Sequence, residues 1–285
     1  MTSQLAKTMR MIKFEHSVFA LPFALAGAWI AAEGVPPLYD LLLLVIAAVC
    51  ARSAAMAYNR VRDRHHDASN ERTADRELVS GAISVRYAVR FTLLCSLAFV
   101  GVSFLLAPIC GWLSLPCLVV LLGYSHLKDF SYLCHLGLGV ALGLAPAGAW
   151  LAVNKSFDGE WQLPLLIGAG VSLWVAGFDL LYAIQDIGHD LQQGTFSFPA
   201  KFGIGATKLL SLILFASALL LWHYSNTQLG TGLYTYLGEG IIAILLAIEL
   251  GLVHYYGEEK IPMAFFKVNA WVPMVYFVSL VADIS

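Results

Sequence analysis

Apolar residues along this chain come in long runs rather than at alternating positions. Runs close to the ~20 residues that cross a bilayer as a helix fall at 14–32, 38–61, 84–106, 109–125, 135–153, 163–185, 205–224, 237–256 and 265–282. Turn residues separate them: Gly34-Val35-Pro36-Pro37, Ala107-Pro108, Asp158-Gly159, Gly203-Ile204-Gly205 and the stretch from Gly257 to Pro262. Lipid gives the backbone no hydrogen-bond partners, so a spanning segment is a helix or a strand of a closed barrel. Barrel strands alternate lipid-facing and lumen-facing residues, and these runs do not. The pattern predicts an all-α integral membrane protein of nine transmembrane helices, with residues 1–285 forming a single transmembrane domain.

Polar residues gather where two of the runs end. Asn59, Asp63 and Asp67 follow one another at steps of four, and Asp179, Tyr182, Asp186 and Asp190 at steps of three, four and four. Either spacing puts the side chains on one face of a helix. The same offset of 123 residues separates Asp63 from Asp186 and Asp67 from Asp190. Each row is followed by a polar loop and a glycine, a weak repeat of about four helices; transporters show such repeats too.

Arg62 and Arg64 flank Asp63 and offer a bland reading of the first row as interfacial ion pairs. A second row of matching spacing argues for more. Two acidic rows at equal depth would face each other across the bundle, which suits a hard cation with oxygen ligands. Mg²⁺ is held by a few carboxylates together with substrate phosphates. A diphosphate is then the expected partner, and Arg72, Arg76 and Lys128 lie on the same side to meet its charge. Arg60, Arg64, Arg86 and Arg90 are expected to be ordinary loop charge.

Composition narrows the class. The chain is 59% hydrophobic and 13% charged, with a mean hydropathy of +0.73, whereas soluble domains carry about 25% charged residues. Nearly every soluble fold is excluded. A net charge of −2 is uninformative as a total, but its distribution orients the chain. All but Arg52 and Lys155 of the 17 Lys and Arg residues fall on one side if the N-terminus is inside. By the positive-inside rule, the N-terminus and both acidic rows are expected in the cytoplasm of a bacterial-type inner membrane, and the C-terminus outside. The basic N-terminal residues and Ala26-Gly27-Ala28 resemble a secretory signal, but the apolar run continues past them, as a retained first helix would. Membrane lipid is the expected surroundings; neither nucleic acid nor an obligate protein partner is expected.

Other reactive side chains add little. Cys50, Cys95, Cys110, Cys117 and Cys134 lie mostly in apolar runs without a paired spacing and read as small core residues. His65, His66 and His189 adjoin the aspartates without a zinc framework and read as solvated loop residues, while His126 and His135 stay open. Glu249, deep in the eighth run, either touches substrate or hydrogen-bonds a neighbouring helix. The tryptophans are expected in the core or in interfacial belts.

Asn59-xxx-Asp63-xxx-Asp67, followed by Asn70 to Arg76 and Ser80-Gly81, resembles the first signature of the UbiA superfamily of intramembrane prenyltransferases. Asp179-Leu-Leu-Tyr182-Ala-Ile-Gln-Asp186-xxx-Asp190 resembles its second, and Tyr124-Ser-His-Leu-Lys128 its intervening Tyr-xxx-Lys segment. The resemblance implies nine helices around a central cavity, with Mg²⁺ and a polyprenyl diphosphate bound at the aspartates. Carried over residue by residue, it makes Asn59, Asp63, Asp67, Asp186 and Asp190 the metal ligands. Arg72, Arg76 and Lys128 would contact phosphate, with Tyr124, Tyr182 and Asp179 lining the site. Two positions depart from the family pattern. Asp129 stands where a second basic residue is usual, which puts one phosphate contact in doubt, and Glu77 replaces a common proline.

Lys13 to Phe23, Leu144 to Trp150 and Phe198 to Gly203 resemble members similar to 4-hydroxybenzoate polyprenyltransferases, including those of the futalosine route to menaquinone. The implied activity is Mg²⁺-dependent transfer of a polyprenyl group to 4-hydroxybenzoate or a dihydroxynaphthoate in ubiquinone or menaquinone synthesis, through an allylic carbocation. The ring's proton then needs a nearby carboxylate to accept it, and Asp179 is the candidate among several. Haem or a chlorophyllide are the alternative acceptors. A transporter of an anionic solute remains the rival from another class, although the charges sit at helix ends rather than at the mid-membrane breaks transporters use. A non-catalytic prenyl-lipid scaffold would not need two aspartate rows.

Overall fold

The computed structural model describes residues 3–257, 261–263 and 267–284; Lys260, one of the expected inner-side cations, lies outside them. The described elements are α-helices and short 3₁₀ turns: α1 Gln4–Met11, α2 Leu21–Ala32, α3 Leu38–Ser69, α4 Val85–Leu106, α5 Pro108–Gly123, α6 Cys134–Asn154, α7 Gln162–Tyr182, α8 Ile187–Gln193, α9 Phe198–Gln228, α10 Leu233–Tyr256, α11 Ile261–Met263 and α12 Trp271–Ile284. Among the described residues, seven helical stretches are long and apolar enough to cross a membrane.

Nine full-length spans were expected, and the first and last fall short. α2 has 12 residues and α12 has 14, roughly 18 and 21 Å at 1.5 Å per residue, against a hydrocarbon core of about 30 Å. The first run is cut because Phe14–Phe19 form a 3₁₀ turn and Pro22 opens α2, where its missing N–H costs nothing. Many of the large apolar side chains of α4, α5, α9 and α10 are exposed, Leu94, Leu97, Val119 and Leu220 among them, as lipid-facing residues are.

Two departures from simple helices shape the region around the acidic rows. α3 runs on past the expected end at residue 61 to Ser69, because no glycine or proline interrupts it. It stops where Asn70 turns extended and Thr73 Oγ1 donates to the Asp67 carbonyl at 3.0 Å. The second row, expected on one helical face, instead tightens into a 3₁₀ turn over Ala183–Asp186 before α8. Three residues per turn rather than 3.6 rotate α8 out of register with α7, and Asp190 Oδ1 accepts from Thr195 Oγ1 at 3.0 Å.

Close helix packing holds α6 and α7 together. A Cβ on Gly168 would collide with the carbonyl oxygen of Gly143, and one on Gly139 with that of Ser172. Small residues at such crossings let membrane helices approach at backbone distance. Gly168→Val is therefore expected to destabilise the protein by about 1–3 kcal/mol through overpacking, read as a lower unfolding temperature in detergent; an unchanged temperature would show that α6 and α7 can part freely.

The core beside them is aromatic. Phe23 lies with ring centroids 5.7 Å from Trp174, 5.4 Å from Trp222 and 5.1 Å from Tyr276. The polar edges of these rings are satisfied. Trp222 Nε1 donates to the Ile167 carbonyl at 3.1 Å and Tyr276 to Asn226 at 3.0 Å. Trp174 Nε1 donates to Asn269 at 3.0 Å, and Asn269 donates onward to Glu249 at 2.8 Å. Glu249 thus hydrogen-bonds a neighbouring segment, one of the two roles left open. Trp112 and Trp271 are exposed, as belt residues are.

Candidate active site

The two acidic rows meet through basic side chains carried by the loops between helices. α3 supplies Asn59, Asp63 and Asp67 on one face, the two aspartates buried. Asn59 Nδ2 donates to Asp63 Oδ2 at 3.1 Å and to Ser125 Oγ at 3.3 Å. Lys128 Nζ lies 2.7 Å from Asp63 Oδ1, and Arg76 Nη1 lies 2.6 Å from Asp67 Oδ1. Across the site, Arg72 forks onto Asp186 at 3.1 and 2.6 Å and donates to Tyr182 Oη at 2.9 Å. Asn70 Nδ2 donates to the same carboxylate at 2.9 Å, so the loop after the first row closes onto the second. Burial draws the Arg72 guanidinium down, but its bonds to Asp186 and the nearby charges of Tyr182, Asp186 and Asp67 outweigh this and raise its pKa above the ordinary arginine value. It is a permanent cation.

The pairing differs from the one the sequence suggested. Lys128 and Arg76, not Arg62 and Arg64, meet the first aspartates. Arg62 instead pairs with Asp129 and donates from Nε to His126 Nδ1 at 3.2 Å. Since an arginine nitrogen only donates, His126 Nδ1 accepts. The other ring nitrogen then carries the hydrogen and donates to Tyr58 Oη at 2.8 Å. Asp129, the departure from the family pattern, thus anchors the 3₁₀ segment Tyr124–Asp129 to α3 and thereby holds Lys128 over Asp63. Glu77, the other departure, pairs with Arg10 of α1 at 3.2 Å. Arg60 is not loop charge but buried, donating to the Met11 carbonyl at 3.3 Å.

Beneath this polar layer lies a cavity of about 480 Å³ walled by α2 to α6. Its lining is nearly all apolar and includes Leu138, Leu142 and Ala145 of α6, with Trp150, Phe157 and Trp161 farther from the acidic rows. Tyr124 and Arg52 also line it. Arg52 belongs to none of the motifs, and its Nε is buried without a hydrogen-bond partner among the described residues. The sequence does carry a signal for it, as a basic residue in the middle of an apolar run; such residues are costly and usually functional. His135 was likewise left open, and its Nδ1 lies 2.7 Å from Asp179 Oδ2.

The donor set fits a hard divalent cation, since both rows offer only oxygen ligands from carboxylates and one amide. Asp63 Oδ1 is buried, and the Lys128 ammonium 2.7 Å away is its counter-charge. The five expected ligands do not converge, however. Among the described residues no three acidic, His or Cys side chains are grouped closely enough to share one ion. Like charges stay apart unless a cation lies between them, and here Asp63, Asp67 and Asp186 each have a basic partner of their own.

Known proteins resemble the chain over most of its length. The family model described as the UbiA prenyltransferase family matches residues 20–271. A 4-hydroxybenzoate octaprenyltransferase of Pseudomonas aeruginosa (strain UCBPP-PA14) is 32% identical over 259 residues, covering 90% of this chain and 84% of the relative. The apo structure of a UbiA homolog from Aeropyrum pernix K1 superposes with a TM-score of 0.86 at 32% identity, covering 95% of this chain and 98% of that one. A UbiA homolog from Archaeoglobus fulgidus bound to GPP and Mg²⁺ shares the fold, with a TM-score of 0.70 at 17% identity, over 97% of this chain and 99% of that one.

Proposed function

Because this integral membrane protein belongs to the UbiA prenyltransferase family, we propose that it transfers a polyprenyl group from polyprenyl diphosphate to the ring of 4-hydroxybenzoate. One observation carries this reading: Asp63 and its partner Lys128 lie on the same α3 helix and 3₁₀ segment as Met56 and Tyr124, which line an apolar cavity whose lining includes one arginine, Arg52. Arg76 and Arg72 pair with Asp67 and Asp186 in the same acidic rows. A diphosphate head and an apolar tail need those two environments side by side. The acceptor's carboxylate needs a cation where the tail's first carbons lie, and Arg52 is that cation.

Asn59, Asp63, Asp67, Asp186 and Asp190 would hold Mg²⁺, which when bound supplies positive charge toward the departing diphosphate. Lys128, Arg76 and Arg72 exchange their carboxylate contacts for phosphate oxygens, placing donors where charge develops as the allylic C–O bond breaks. Tyr124 and Tyr182 line the passage between head and tail. The apolar wall keeps water from the allylic cation, so that the ring carbon beside the hydroxyl attacks it instead. Asp179 then takes the proton that carbon loses. The site opens to the cytoplasm, with the C-terminus on the far side. Cysteine-labelling that placed positions 72 and 155 on one face would overturn that orientation.

The reaction is tested by incubating membranes that contain the protein with labelled polyprenyl diphosphate, with and without Mg²⁺. 4-Hydroxybenzoate and 1,4-dihydroxy-6-naphthoate are supplied in parallel. Mg²⁺-dependent label on 4-hydroxybenzoate is expected. Label on the naphthoate alone would move the enzyme to menaquinone synthesis, and label on neither would refute transfer to an aromatic acid.

A further inference from the structure

His135 belongs to none of the motifs, yet the fold sets it behind the one carboxylate assigned to chemistry rather than to metal. We propose that His135 is the positioning residue for the proton-accepting carboxylate of Asp179, an inference that rests on the prenyl-transfer reading above. Three observations converge on it. His135, Leu138, Leu142 and Ala145 follow at steps of three, four and three along α6, which is one helical face, and the last three line the cavity. His135 therefore sits on the cavity-lining stripe, one turn nearer the acidic rows than the first apolar lining residue.

The second observation is the pair itself. His135 Nδ1 lies 2.7 Å from Asp179 Oδ2, with side-chain exposures of 9% and 24% respectively. The carboxylate is the more exposed of the two and the imidazole the more buried. A carboxylate only accepts, so Nδ1 carries the hydrogen and donates it, which fixes the plane in which Asp179 presents its oxygens. Third, His135 Nε2 is buried without a hydrogen-bond partner among the described residues. A buried polar atom left unpaired costs free energy, and a leucine would pack here without that cost. The imidazole is retained at this depth for what it does to Asp179.

The backbone makes the pair rigid. Gly139 and Gly143, one and two turns beyond His135, let α6 press against α7 at Ser172 and Gly168, and α7 carries Asp179 at its other end. Asp179 precedes by one turn Tyr182, which with Asp186 meets Arg72, and His135 precedes by one turn the cavity-lining Leu138, so the pair adjoins both the residues assigned to diphosphate and the cavity assigned to the tail. That is where the reacting ring must sit. There the allylic C–O bond breaks and diphosphate leaves with its electron pair, while the ring carbon beside the hydroxyl forms the C–C bond. That carbon then gives its hydrogen as a proton to Asp179, and the C–H electron pair restores the aromatic ring.

A structural tie between α6 and α7 would also need His135, so the test reads the proton step itself. The full-length enzyme is assayed in membranes with the acceptor that the wild type prenylates, deuterated at the carbon that is prenylated. In the wild type the isotope effect on kcat is expected near unity, because aromatic rings lose that proton readily once a base is in place. His135→Leu is expected to lower kcat about 100-fold, the scale of a misplaced catalytic group, and to bring out a normal ring-deuterium isotope effect, with KM for the diphosphate unchanged. His135→Asn puts an amide N–H where Nδ1 stands and is expected to restore most of the rate with no isotope effect. His135→Gln reaches the Nε2 position instead and should behave like the leucine, which covers the case of a leucine variant that fails to fold. Loss of activity with an unchanged isotope effect, or asparagine and glutamine behaving alike, overturns the positioning role. Absence of wild-type transfer to either acceptor overturns the reading beneath it, and this one with it.

Discussion

Asp63→Asn is expected to lower kcat by roughly a thousandfold or more, since a bound cation contributes several kcal/mol at the developing charge and each 1.36 kcal/mol is tenfold in rate. The change is nearly isosteric. An asparagine still accepts from Asn59, which lies 3.1 Å from the carboxylate, and still fills the buried position on α3. What it removes is one full negative charge from the centre of the first row. The Lys128 ammonium, 2.7 Å away and 26% exposed, then loses its counter-charge but can turn toward water, so folding loses little. Expression, unfolding temperature and topology should match the wild type while turnover of labelled diphosphate disappears. Retained turnover would refute the metal role assigned to this residue, and a collapsed unfolding temperature would mean that Asp63 serves folding first.

Arg52→Met separates the acceptor from the diphosphate. Arg52 lies among apolar cavity residues with its Nε buried and without a hydrogen-bond partner among the described residues. A charge in that setting costs folding free energy, so replacing it by an apolar residue of similar length should not lower the unfolding temperature. Hydrogen bonds to a charged group are worth about 1.5–3 kcal/mol, so kcat/KM for 4-hydroxybenzoate is expected to fall about 10- to 100-fold. KM for polyprenyl diphosphate should stay where it was, because Arg72, Arg76 and Lys128 are untouched. Steady-state kinetics with each substrate varied in turn checks this. An equal loss for both substrates would make Arg52 part of the diphosphate site, and a fall in unfolding temperature would mean it has a structural partner.

The helices and the two rows were legible in the sequence because lipid permits little else. A backbone in hydrocarbon must close its own hydrogen bonds, so a long apolar run between turn residues is a helix whatever surrounds it. A four-residue step then fixes that Asn59, Asp63 and Asp67 share a face. The same local logic failed where a run's length alone did not set a helix's length. Pro22 and the 3₁₀ turn over Phe14–Phe19 shorten the first span, and the turn over Ala183–Asp186 bends the second row off a single face.

Ion-pair partners were settled by packing. Adjacent residues on a helix point about 100° apart, so Arg62 and Arg64 cannot serve the carboxylate between them. Lys128 and Arg76 reach the aspartates only because Arg62, His126 and Asp129 pin the segment Tyr124–Asp129 to α3 and because Thr73 folds the following loop back. Asp179 meets His135 only because glycines let α6 and α7 touch, and Arg52 becomes a cavity residue only once α2 to α6 enclose a space. Which residues are helical and which share a face could be read from the chain alone, since both depend on bonds within a few residues. The counter-charge each acid has, and the side chains that border the cavity, depend on groups from distant helices that only packing brings within a few ångströms.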